Sequence, residues 1–139
     1  MKKLDGKVAI VTGGNGGIGK ATARLLLREG AQVVITARRR DALEKAVAEL
    51  GAGVVAISGN VEETDHHASV AREVEKRFGR LDIYVANAGV INITPTAGVS
   101  PEEFDRQFSV NARGTFFGVQ SVLPLLRQNG SITLVGSIA

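Results

Sequence analysis

The sequence predicts an α/β fold, a three-layer doubly wound parallel sheet with helices on both faces. Short runs rich in aliphatic and β-branched residues alternate with longer segments of helical periodicity. The runs are apolar throughout, as strands buried on both faces require. A glycine cluster joins the first run to the first helical segment.

Lys7 to Thr12 reads as a buried strand that ends at the glycines. From Lys20 to Glu29, Ala21, Ala23, Leu25, Leu26 and Leu27 give a helix a broad apolar surface, and Gly30 supplies its stop. Val33 to Thr36 is the second strand. Asp41 to Leu50 is a second helix, with Leu43, Val47 and Leu50 at helical spacing and Gly51 closing it. Val54 to Ile57 is the third strand. The segment from Glu62 to Phe78 is strongly charged, but Val70, Val74 and Phe78 recur every fourth residue, the stripe of a helix lying on a sheet.

Leu81 to Ala86 is the fourth strand, followed by a loop from Asn87 to Ser100 that contains Gly89, Pro95 and Gly98. Ser100 is placed to cap the next helix, Pro101 fits its first position, and Glu102 and Glu103 suit its positive end. That helix is predicted to run to about Arg127, bent near Asn111, Gly114 or Pro124. Ser131 to Val135 is the fifth strand. Right-handed crossovers then give a Rossmann-like strand order 3-2-1-4-5, with a ligand crevice at the carboxyl ends of strands one and four.

Residues 1–139 are expected to form one domain. Ending at strand five leaves an apolar edge, which predicts that the chain is the amino-terminal part of a longer protein. Hydrophobic residues make up 44% and charged residues 22%, ordinary values for a folded soluble chain. With no long apolar run and no signal-peptide pattern, neither a membrane span nor secretion is predicted. The absence of cysteine excludes disulfides and thiolate chemistry and fits a cytoplasmic protein. A net charge of +3, spread over several segments, favours an anionic small ligand over nucleic acid.

Thr12-Gly13-Gly14-Asn15-Gly16-Gly17-Ile18-Gly19 lies between a strand and a helix, the context that gives a glycine loop its meaning. Two registers overlap. Gly14, Gly16 and Gly19 fit G-x-G-x-x-G, whereas Thr12, Gly13, Gly17 and Gly19 fit T-G-x-x-x-G-x-G. Both let the backbone turn tightly and bring a pyrophosphate to unpaired N–H groups at a helix start.

NAD selectivity uses an acid about 20 residues beyond the glycines, on the adenosine ribose. Here the chain reads Thr36-Ala37-Arg38-Arg39-Arg40, without that acid. Arg38 is the choice for pairing with the extra phosphate of NADP, and Asp41 is expected to help cap the following helix. NADP is therefore the expected cofactor, with NAD as the alternative.

Together these motifs resemble the classical branch of the short-chain dehydrogenase/reductase family along nearly the whole chain. The resemblance selects the register Thr12, Gly13, Gly17, Gly19, with Ile18 inside it. The family's N-N-A-G segment matches Ala86-Asn87-Ala88-Gly89, with Ala86 in place of the first Asn. Its Asp-Val beside the adenine is Asn60-Val61 here, which keeps a donor and an acceptor but loses a charge.

The segment Val110-Asn111-Ala112-Arg113-Gly114 resembles the one carrying the family's catalytic Asn, and Gly136-Ser137-Ile138-Ala139 the one carrying its catalytic Ser. The resemblance implies hydride transfer between a nicotinamide and a carbonyl or secondary alcohol carbon. It assigns Ser137 to the substrate oxygen and Asn111 to a supporting water. The family's Tyr-x-x-x-Lys pair would lie beyond Ala139. It also implies a homodimer or homotetramer, packed through the helix around Gly114 to Leu126.

Tyr84, the only tyrosine, lies within an apolar strand with Ala88 where a lysine would be needed, and reads as core. His66 and His67 read as surface residues without the spacing of a metal site. Phe104, Phe108, Phe116 and Phe117 are expected in the core and at subunit contacts. The leading expectation is an NADP-preferring reductase. A noncatalytic nucleotide-binding fragment and a structural protein that keeps the fold are the alternatives.

Overall fold

The computed structural model describes residues 1–138. Strands β1 (Val8–Thr12), β2 (Gln32–Ala37), β3 (Val54–Ser58), β4 (Leu81–Ala86) and β5 (Leu126–Leu134) form one sheet in the order β3-β2-β1-β4-β5. All four pairings are parallel. Helices α1 (Gly17–Arg28), α2 (Arg40–Leu50) and α3 (Thr64–Phe78) connect the strands, followed by α4 (Pro101–Phe108) and α5 (Thr115–Val122).

Alternation along β1 divides the core in two. Val8 and Ile10 pack with Val34, Val70, Val74, Leu81, Tyr84 and Val122 on the face covered by α3 and α5. Ala9 and Val11 pack with Ala23, Val33, Ile35, Leu43, Ala46 and Val85 beneath α1 and α2. Both faces of the sheet are thus covered, which is why its strands contain apolar runs.

At the amino edge of the sheet, the buried Asp82 carboxylate accepts the Val8 amide at 2.9 Å and pairs with Arg80 and Lys7. Burial opposes its ionisation, but the Arg80 hydrogen bond, the Val8 amide and the two cations together hold its pKa below the ordinary carboxylate value.

The predicted long helix is irregular at Asn111 and Gly114, where a bend was expected, and it ends early. Ser100 caps α4 by accepting the Glu103 amide at 3.1 Å, but Ser109–Gly114 form a π-helical turn between α4 and α5. α5 ends at Val122, ahead of Pro124, and does not reach Arg127. Proline lacks the amide that would continue the ladder.

The chain enters β5 earlier than predicted. Leu126 pairs with Leu81 and Ser131 with Ile83, so the intervening polar residues form an irregularity in the strand. The expectation of core packing for the phenylalanines needs correction at three positions: Phe104 and Phe108 stack on each other with ring centroids 4.6 Å apart, yet both are exposed, as is Phe116. Among the described residues, no helix is long and apolar enough to cross a membrane.

Candidate functional site

The carboxyl ends of β1, β2, β3 and β4 open onto a cleft of about 250 Å³, with Gly13, Arg38, Asn60, Val61, Ala88 and Gly89 in its wall. Its base is tied together by Thr12. The Thr12 hydroxyl accepts the amides of Asn87 and Ala88, each at 3.0 Å, and donates to the Val85 carbonyl at 3.5 Å. Asn87 Nδ2 returns two bonds, to the carbonyls of Thr12 at 3.1 Å and Gly13 at 3.3 Å. Thr12 therefore stands behind the cleft wall, and Asn87 fastens the glycine loop to the exit of β4.

Gly13 and Gly17 have φ of 65° and 51°, in the left-handed region that favours glycine. A Cβ on Gly19 would overlap the Gly13 carbonyl oxygen and lie 2.5 Å from Asn87 Nδ2. Gly16 is extended, and a Cβ there would meet nothing within 4 Å. The left-handed backbone thus falls on Gly13 and Gly17 and the tightest approach on Gly19, while a Cβ on Gly14 would meet the Ile35 side chain at 2.6 Å. No side chain caps α1 and no acid occupies its first turn, so its opening amides remain available to an anion. Ile18, in that first turn, is exposed.

On the adenosine side predicted from sequence, Arg38 and Arg39 both border the cleft. Arg39 is engaged: its guanidinium grips Asp41 at 2.5 and 3.2 Å, raising the arginine pKa and lowering that of the acid. Asp41 lies inside the first turn of α2, whose cap position is Arg39, so it acts as an ion-pair partner where a cap was expected. Arg38 has no acidic partner among the described residues.

Asn60 is folded onto its own loop: Oδ1 accepts the Glu62 amide at 3.2 Å and Nδ2 donates to the Glu62 carboxylate at 2.7 Å. Asn111 sits in the π-helical turn, with its amide paired to the backbone of Val90. Ser137 follows the end of β5 on the exposed surface, and the residue after Ile138 in its motif lies outside the described residues. The cleft and its lining bring Gly13, Arg38, Asn60, Val61, Asn87, Ala88 and Gly89 together, whereas Ser137 is not in that wall.

Sequence reasoning missed Asn15, Gly59, Val90 and Val110, which also line the cleft. Asn15 and Val110 lie inside motifs quoted above and Val90 follows one, so position was the available signal. His66 and His67, expected on the surface, are buried. They are only 8% and 4% exposed, because the first turn of α3 is tucked beneath the ends of the central strands beside Thr36, Tyr84 and Ser121. Burial lowers the pKa of both rings. For His66 the neighbouring His67 adds to the effect, and for His67 a hydrogen bond to Val61 opposes it.

Residues 7–139 match the family model described as short chain dehydrogenase. Versicolorin reductase 1 of Aspergillus parasiticus is 42% identical, with the alignment covering 97% of this chain and 53% of that protein. Trihydroxynaphthalene reductase of Colletotrichum orbiculare is 37% identical over 97% of this chain and 49% of its own. A short-chain dehydrogenase/reductase of Brucella melitensis, titled glucose/ribitol dehydrogenase, superposes with a TM-score of 0.95 at 31% identity, covering 99% of this chain and 60% of that one. The chain spans about half the length of the two reductases. It belongs to the short-chain dehydrogenase family.

Proposed function

We propose that these residues form the nucleotide-binding part of an NADP-preferring reductase that moves hydride between the cofactor and a carbonyl or secondary alcohol. The observation that carries the reading is the union, in and beside one cleft, of an uncapped helix start behind Gly13 and Gly17 with an arginine, Arg38, that has no acidic partner among the described residues. These features fit the charge of the cofactor: the α1 amides would hold the pyrophosphate and Arg38 the ribose phosphate. Asn60 and Val61 would border the adenine, and Ala88 and Gly89 would continue the binding wall towards Asn111. When bound, the cofactor supplies or accepts the hydride.

Asn111 fixes the Val90 backbone at this end of the cleft, and Ser137 is the proposed hydrogen-bond donor to the substrate oxygen. The names of the two reductases favour the reducing direction, and an intact protein of this family is proposed to be a dimer or tetramer. Calorimetric titration with NADPH and NADH tests the cofactor reading. Tighter binding of NADPH is expected, while equal affinities would overturn the preference.

One observation favours a second reading for the 139 residues by themselves. Their only tyrosine, Tyr84, is buried under α5, and burial raises its pKa well above the ordinary phenol value. It does not serve as a proton donor to a ligand in the cleft. This second reading is a nucleotide-binding unit in which proton transfer is not routed through Tyr84.

A further inference from the structure

The wall formed by Gly59, Asn60 and Val61 rests on two buried imidazoles. A Cβ at Gly59 would overlap His66 Nδ1, so that ring lies directly against the backbone. His67 Nε2 lies 2.8 Å from the Val61 carbonyl oxygen. A carbonyl only accepts, so Nε2 carries the proton and donates it. On its other side Val61 meets the π-helical turn: a Cβ at Gly114 would lie 2.9 Å from the Val61 oxygen. The Val61 carbonyl is therefore wedged between an imidazole donor and a glycine backbone.

The Gly59 amide donates to the Ala37 carbonyl at 2.9 Å, which ties the start of the loop to β2, and the further contacts are local or on its outer side. Glu62 and Glu63 bond back to Asn60, and Arg113 Nε reaches the Glu62 carbonyl at 3.4 Å. His67 is thus the side chain that anchors the cleft-lining part of the loop from beneath. We propose that His67 is a positioning residue of the nucleotide site, holding the Val61 carbonyl so that the Asn60–Val61 wall keeps its place beside the cleft. This inference rests on the nucleotide reading above.

Two fragments probe the two halves of the cleft separately: 2′,5′-ADP for the adenosine side and inorganic pyrophosphate for the glycine loop. Each is titrated into the unaltered chain, His67→Leu and His67→Gln, with binding followed by nuclear magnetic resonance. Loss of a buried hydrogen bond is expected to weaken 2′,5′-ADP about tenfold in His67→Leu. Pyrophosphate binding is expected to stay within about twofold, and the Gln amide, which retains a donor, to recover most of the loss.

Unchanged 2′,5′-ADP binding in His67→Leu would overturn the positioning role and leave the nucleotide reading intact. Equal weakening of both fragments, or a Gln variant as weak as Leu, would overturn it as well, since either points to general support of the fold. Failure of the unaltered chain to bind either fragment would overturn the nucleotide reading and this inference with it. Should the Leu variant not fold, imidazole ¹⁵N shifts of the unaltered chain decide: a proton on Nε2 is expected, and one on Nδ1 sinks the proposal.

Discussion

The Asn111 side chain is paired at both ends with the backbone of Val90, its Oδ1 accepting the Val90 amide at 2.9 Å and its Nδ2 donating to the Val90 carbonyl at 2.8 Å. This bridge ties the π-helical turn to the loop after β4. Asn111→Ala removes two partly solvated hydrogen bonds and is expected to cost about 1–2 kcal/mol. Urea unfolding of the two chains provides the measurement. A change within error would show that the bridge adds nothing to stability.

The contrast between neighbouring arginines gives a sharper prediction about cofactor choice. Arg39 is engaged by Asp41, whereas Arg38 borders the cleft without an acidic partner among the described residues. Arg38→Ala is expected to reduce the preference for NADPH over NADH by about 10- to 100-fold, the scale of a lost charge-assisted contact. Arg39→Ala should shift the ratio much less. If Arg39→Ala has the larger effect, the phosphate contact has been assigned to the wrong arginine.

The glycine loop can be tested by space alone. Gly19→Ala places a methyl group into the Gly13 carbonyl and is expected to destabilise the chain by about 1–3 kcal/mol and weaken nucleotide binding. Gly16→Ala meets open space from an extended backbone and should be nearly neutral for folding. Gly19 belongs to both motif registers and Gly16 to only one, so the melting temperature of Gly16→Ala separates them, and a reversed order of the pair would contradict the assignment of the packed glycine.

Much of this architecture could be read from the sequence because its physical causes are local. Five apolar runs define the strands, and the glycine loop occurs between a strand and a helix. The misses have non-local causes. The polar stretch from Arg127 to Gly130 resembles a loop, yet β4 provides pairing partners on either side of it. The adjacent His66 and His67 sit in a charged run, and only the packing of α3 beneath Gly59 and Val61 reveals that both rings are covered. The Arg39–Asp41 pair depends on how the chain turns out of β2, which composition does not encode.

The buried histidines predict acid sensitivity. Because both pKa values are lowered on folding, the unfolded chain takes up protons first as the pH falls. Their contribution is fully present above the unfolded histidine value of about 6.5 and is lost as the pH falls through the folded values. Asp82 behaves in the same sense at lower pH: its contribution is present above its ordinary value of 3.8 and disappears as the pH falls through its depressed folded value. Urea midpoints should therefore decline between pH 7 and pH 5 by the about 6.5 criterion, and a His66→Gln/His67→Gln chain should show a shallower decline. Parallel profiles for the two chains would exclude the histidines as the cause.

Beside Asn111, a hollow of about 400 Å³ is lined by Ala112, Phe116, Val119, Leu123 and Leu134. Phe116, Leu123 and Leu134 are exposed there, and Ile132 and Val135 extend the apolar surface along β5. An apolar strip joined to an unpaired strand edge promotes association, because water is released from both the side chains and the edge. The 139-residue chain is expected to self-associate in a concentration-dependent way, and a Phe116→Glu/Leu123→Glu chain to shift towards monomer. Each buried carboxylate would require desolvation at the contact. Sedimentation equilibrium distinguishes the outcomes: a mass of 14.6 kDa for the unaltered chain at every concentration would remove this face as an association surface.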